Sequence, residues 1–301
     1  MYFVDKENLW IYNFSEVRGM YKIGLSTAGK EFDEGLFIQY KEAGIEAMEL
    51  SCRKYGYGVL DFNAIRALAD KYGIELWSMH LPFLPFAEID PSQTATKDNA
   101  VRFFSELIKK GGDIGINKFV VHPSGERIAP EDRPGRMENA KETFYKLAEI
   151  AAEYDAYIAV EDLPRLCLGN CSSEIAEIVS AHDRLRVCFD TNHLLNEDPV
   201  EFIHKLGDKI ITLHVADYDF INERHWLPGE GDIDWPAVIR ALKDVNYNGA
   251  WLYEIRFTTP NSIIRERDLT CEDFVRNAKE LFEGKTPTTF HERIPDLPMF
   301  I

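Results

Sequence analysis

Six residues with the chemistry of metal ligands or acid–base groups end, or nearly end, short apolar runs: His80, His122, Glu161, Asp190, His214 and Glu254. The last four come from consecutive runs. Three carboxylates and an imidazole make a hard, mostly oxygen donor set that suits Mn²⁺ or Mg²⁺, with Co²⁺ or Zn²⁺ able to substitute. Converging negative charges repel one another strongly, and one divalent ion removes that cost. His193 follows Asp190 by three residues in FDTNHLL and could brace the set, touch a substrate or hold a second ion. Arg165, in EDLPR, could reach a substrate hydroxyl or phosphate, or brace its loop. The stretch NERHWLPGEGDIDW (222–235) sets Glu223, Arg224 and His225 beside a Gly-x-Gly turn, with Asp232 or Asp234 placed to cap the next helix. Glu223 and His225 read as substrate contacts or a loop brace beside one metal, or as ligands of an additional one. His182, His204 and His291 are given no function.

The elements that must position these side chains follow a repeating grammar. Near-continuous apolar runs lie at 21–26, 45–51, 74–80, 117–122, 157–162, 185–190, 209–215 and 250–255. Runs of this kind read as strands buried on both faces of a parallel sheet. Segments with helical spacing lie between them, and Gly near their ends in KEAGIEAMEL and KYGIEL reads as helix termination. Eight strand–helix units in roughly 250 residues predict an α/β fold, a single-domain (β/α)₈ TIM barrel. All strand ends then converge on one face, which explains why the polar residues recur there. A doubly wound open sheet is the runner-up; no G-x-G-x-x-G follows the first strand, which weakens a dinucleotide-binding version. Residues 20–284 are read as the barrel, 1–19 as an N-terminal extension that covers it, and 285–301 as an irregular C-terminal tail, open to an oligomer contact.

Composition bounds the rest. The chain has 301 residues, 45% hydrophobic and 28% charged, an ordinary globular balance. Its net charge of −17 counts against tracking a nucleic-acid backbone, so a small molecule is the expected partner. No apolar run approaches the roughly eighteen residues of a membrane span. The first residues, MYFVDKENLW, are acidic and polar where a signal peptide needs a basic start and an apolar core, and the five cysteines form no C-x-x-C pair. These point to reduced thiols and a cytoplasmic location; Cys167 and Cys171 are read as packing rather than zinc ligands.

The ordered set SMHLPF, VVHPSG, AVEDLP, CFDTNH, LHVAD, PGEGDIDW and LYEIR resembles the xylose isomerase-like TIM barrel superfamily, which holds sugar and sugar-phosphate isomerases and epimerases and is shared with endonuclease IV (AP endonuclease family 2). In the ketose 3-epimerase branch the resemblance implies one metal, most often Mn²⁺, on Glu161, Asp190, His214 and Glu254. The two glutamates double as acid and base through a cis-enediolate, and His193 and Arg165 contact the sugar or sugar phosphate. His80, His122 and His225 are expected at the substrate. Two positions depart from that branch: Cys167 stands where it carries a Glu and Phe220 where it carries an Arg. The endonuclease IV branch, a multinuclear zinc phosphodiesterase, implies instead three zinc ions on His80, His122, Glu161, Asp190, His193, His214 and Glu254, with Glu223-x-His225 close to its Asp-x-His pair. The catalytic subunits of C-glycoside deglycosidases resemble the sequence as well.

Overall fold

A computed structural model describes residues 20–27, 30–125 and 127–294. The eight runs are strands: β1 (Ile23–Ser26), β2 (Ala47–Ser51), β3 (Glu75–His80), β4 (Lys118–Val121), β5 (Tyr157–Glu161), β6 (Leu185–Asp190), β7 (Ile210–His214) and β8 (Trp251–Tyr253). They pair in parallel in the order β7-β6-β5-β4-β3-β2-β1-β8. A bridge between Val215 and Tyr253 closes the ring, carried by Val215 N–H to Leu252 O at 2.8 Å. The chain folds as a TIM barrel, as its apolar rhythm predicts.

Each strand buries both faces, but against different partners. Outward residues such as Met48, Phe119, Ile158 and Leu213 join one large core with the surrounding helices. Inward residues form two separate groups that fill the barrel, Ala47, Ala250 and Leu252 in one and Val120, Ala159 and Cys188 in the other. The expected punctuation is present. Gly44 (φ 92°) and Gly73 (φ 67°) end their helices in the left-handed region, where a side chain would be strained. Asp234, rather than Asp232, caps the helix Trp235–Asp244 by accepting from Ala237 N–H at 3.0 Å.

Part of the tail differs from the irregular reading. His291–Arg293 is a strand, β10, pairing antiparallel with β9 (Ile263–Arg265) from the loop after β8. The rest of the tail, from 295, and the 1–19 extension lie outside the described residues. The β9–β10 pair clamps the PGEG turn. Arg265 donates two hydrogen bonds to Glu230, at 2.9 and 2.6 Å, with both side chains fully buried. Glu230 in turn accepts from Leu227 N–H, and Arg293 donates to Glu230 O and Asp232. From the other side, buried Asp217 accepts from the N–H groups of Tyr218, Gly229 and Ile233 and from Trp235 Nε1. A Cβ at Gly231 would meet Asp217 Oδ1 at 2.1 Å, so only glycine fits there.

Removing one partner of a buried ion pair strands the other's charge. Arg265→Ala is therefore expected to lower the unfolding free energy by about 3–5 kcal/mol, with Arg265→Met/Glu230→Leu recovering much of the loss. Urea unfolding measures both; a single-mutant loss below about 1 kcal/mol would remove the clamp from the fold's supports.

Candidate metal centre and its cavity

The barrel brings the four expected ligands to one point. One ligand atom from each of Glu161, Asp190, His214 and Glu254 lies within 4.8 Å of all the others. β5, β6 and β7 end on the first three, and Glu254 follows β8 directly. His214 Nδ1 stands 3.1 Å from both Glu161 Oε1 and Glu254 Oε2 and 3.9 Å from Asp190 Oδ2. Asp190 Oδ2 is buried without a hydrogen-bond partner among the described residues, and Glu161 Oε2 faces only the His80 and His122 imidazoles, each at 3.1 Å. Buried carboxylate oxygens rarely go unpaired, and this donor set suits a hard divalent cation.

The histidines are aimed. His80 Nδ1–H donates to Leu81 O at 2.8 Å, and His193 Nδ1–H donates to Asp162 O at 2.8 Å. His80 thereby presents Nε2 to Glu161, and His193 presents Nε2 to Glu223 at 3.5 Å. His214 is turned the other way: its Nε2–H donates to Glu49 Oε2 at 3.0 Å, so Nδ1 is the atom that faces the carboxylates. Fixing the far nitrogen is how proteins orient metal-binding imidazoles. Glu49 is fully buried on β2, where the pairing with β3 shifts register between Met48 and Glu49, and its Oε2 also accepts from Ser78 Oγ at 2.8 Å. Sequence reasoning missed Glu49; the signal was a carboxylate between Met48 and Leu50 in the run IEAMELS, which carries Glu46 as well. Asp162 was missed as well; its Oδ1 accepts from Asp190 N–H at 2.7 Å.

Among themselves the groups trade charge. Burial raises the Asp190 carboxyl to about 6, with Glu161 adding to the rise against the pull of His193. Burial also opposes the charge on Glu254 and Glu161, but the imidazole of His214 outweighs it, holding Glu254 at about 2 and Glu161 well below the usual range. Burial lowers His193, yet Asp190 and Glu161 lift it to about 9.

The remaining expected residues surround this centre. His80 and His122 Nε2 each lie 3.1 Å from Glu161 Oε2, and the three form a second ligand-like group. His193, Glu223 and His225 form a third. Asn192 fixes that loop by accepting from the N–H groups of Arg224 and His225. Arg165 donates to Asn222 at 2.9 Å and to Glu223 Oε1 at 3.0 Å. His182 and His204 lie outside the centre, beside Glu149 and Asp244.

Above the centre opens a cavity of about 950 Å³. Glu161 and Glu254 line it together with His80, His122, Arg165, His193 and His225. No helix among the described residues is long and apolar enough to cross a membrane.

A family model described as a xylose isomerase-like TIM barrel matches residues 37–270. D-psicose 3-epimerase of Ruminiclostridium cellulolyticum is 27% identical over 213 residues, 66% of this chain and 69% of its own. An uncharacterised protein of Methanocaldococcus jannaschii is 27% identical over 223 residues, 69% of this chain and 74% of its own. The crystal structure of a D-tagatose 3-epimerase-like protein superposes with a TM-score of 0.74 at 23% identity, covering 87% of this chain and 97% of that one, which shows a shared fold. This chain belongs to the xylose isomerase-like TIM barrel family.

Proposed function

We propose that the protein is a divalent-metal-dependent sugar or sugar-phosphate isomerase or epimerase. One observation carries this reading. Of the four converging side chains, Glu161 and Glu254 border the cavity, Glu254 the more open of the two, while Asp190 and His214 do not. An ion held there, most suitably Mn²⁺, would share two of its ligands with the substrate space, where carboxylates can move protons. The similarity to a sugar epimerase supports the same class.

Glu161, Asp190, His214 and Glu254 would hold the metal. When bound, it supplies positive charge that polarises a sugar carbonyl and stabilises the negative charge of an enediolate. The proton movements belong to the chain. Glu254 is 17% exposed at its side chain and faces the cavity, so it is the more open of the pair to take a proton from the carbon beside the carbonyl. Inversion needs Glu161 to enter protonated and deliver its proton to the opposite face of the same carbon, so that the two carboxyls exchange protonation states in a turnover. Isomerisation needs Glu254 to return its proton to the neighbouring carbon while a hydroxyl proton passes between the two oxygens. His193 Nε2 and His225 offer polar contacts to the hydroxyls, and Arg165, already engaged with Glu223, braces the loop that carries His225.

The two further ligand-like groups favour a second reading, a multinuclear metal phosphodiesterase. Metal analysis of protein purified without chelator separates the two. About one Mn²⁺, Mg²⁺ or Co²⁺ per chain is expected; two or three zinc ions would replace the isomerase reading with the hydrolase.

For the mechanism, Glu161→Gln and Glu254→Gln are each expected to abolish exchange of a ketose's α-proton with deuterated solvent. Wild-type exchange in either variant removes that residue from proton transfer. Glu49→Met, which leaves the His214 Nε2–H without an acceptor, is expected to weaken Mn²⁺ binding about 10–100-fold. Glu49→Gln, which retains an acceptor, should lose less. Unchanged Mn²⁺ affinity in the Met variant, measured by calorimetry, would show that Glu49 does not position His214.

A further inference from the structure

The cavity is larger and more one-sided than a free sugar requires. About 950 Å³ lies at the upper end of the roughly 300–1,000 Å³ that drug-sized ligands occupy, and a lone hexose leaves much of it unfilled. Its walls are uneven: apolar groups predominate after β3 and β5, where Arg165 interrupts them, and polar groups after β7 and β8, where Ile255 and Pro260 do. The loops after β7 and β8 contribute polar groups, among them Asn222, Glu223, Asn261 and Ser262. The loops after β3 and β5 contribute Phe83, Phe86, Leu163, Pro164, Leu166 and Cys167. Between them, after β4, the ring of His122 is covered by Phe83, stacked at 4.5 Å and 14°. The apolar wall therefore begins at the metal centre itself.

In a fold that buries most of its large apolar side chains completely, Phe83 remains 39% exposed and Leu166 57% exposed. One aromatic ring would serve as a platform for the C–H face of a sugar. A wall continuing to Leu163 and Leu166 has no such use and is suited to an apolar group. The interior arginines do not make an anion site: Arg165 is engaged by Glu223 and Asn222, and Arg224 by Asp219. Cys167, where the ketose 3-epimerases carry a Glu, is buried and lies on this same wall.

We propose that the substrate is a sugar bearing an apolar, preferentially aromatic, substituent, with the sugar over Glu161 and Glu254 and the substituent against Phe83, Leu163 and Leu166. This rests on the isomerase reading for the placement of the sugar. The competing occupant is a phosphorylated sugar, whose charge would be met at the rim by the exposed Arg127 and Arg256.

Calorimetric titration of the protein in MnCl₂ with phenyl β-D-glucopyranoside, methyl β-D-glucopyranoside and glucose 6-phosphate distinguishes them. The phenyl glycoside is expected to bind about 10–100-fold tighter than the methyl glycoside, the gain from burying one aromatic ring. Leu166→Asp, at an exposed side chain that the fold does not need, is expected to remove that advantage. Equal affinity for the two glycosides, no measurable binding of either, or tightest binding of the phosphate ester would each overturn the proposal. A phenyl preference in protein that exchanges no ketose α-proton would keep the apolar wall and sink the isomerase reading. Exchange without a phenyl preference would do the reverse.

Discussion

Three carboxylates, from Glu161, Asp190 and Glu254, meet one imidazole at the rim of the barrel, with Asp190 and Glu161 wholly shielded from water. Two like charges about 4 Å apart repel by about 4 kcal/mol at an effective dielectric constant near 20, and burial adds a desolvation cost for each. Much of the surrounding structure answers this strain. Asp162 accepts the Asp190 N–H, Glu49 turns His214, Leu81 O turns His80, and Asp162 O turns His193. These bonds fix where the donor atoms point, so a cation bound there would meet a pre-set cage rather than order one. The open cavity lies on one side of that cage, bordered by two of its carboxylates, Glu161 and Glu254.

The barrel was legible in the sequence because a strand buried on both faces leaves an unbroken apolar run, and eight such runs have few other arrangements. The convergence of the polar side chains was legible because parallel strands bring all their C-terminal ends to one face, so His80, Glu161, Asp190 and His214 could be read as neighbours from position alone. Glu49 did not, because its partner lies 165 residues away and only closure of the barrel brings β2 opposite His214. Asp162 was hidden beside Glu161, where its role is a backbone bond across to the next strand. The β9–β10 pair was equally hidden. Its strands are three residues each and far apart in sequence, and their pairing follows from the Glu230 turn they cover rather than from local propensity.

Arg165 and Phe220 show how a loop position changes meaning once its neighbours are known. Both adopt left-handed backbone, at φ 55° and 57°, which is uncommon for residues with side chains. Arg165 ties the loop after β5 to the loop after β7 through Asn222 and Glu223. Phe220 rests its ring on Tyr218 at 4.6 Å and stays 40% exposed. The two positions at which the sequence departs from the ketose 3-epimerase pattern thus hold one buried thiol, Cys167, and one surface ring.

The clamp on the PGEG turn also divides the site between two kinds of support. His225 belongs to a loop whose downstream turn is held by Arg265 and by Arg293, and Arg293 lies beyond all eight barrel strands in the chain. The four central side chains need only the barrel strands to bring them together, whereas the mouth of the cavity leans on a short pairing made outside those strands.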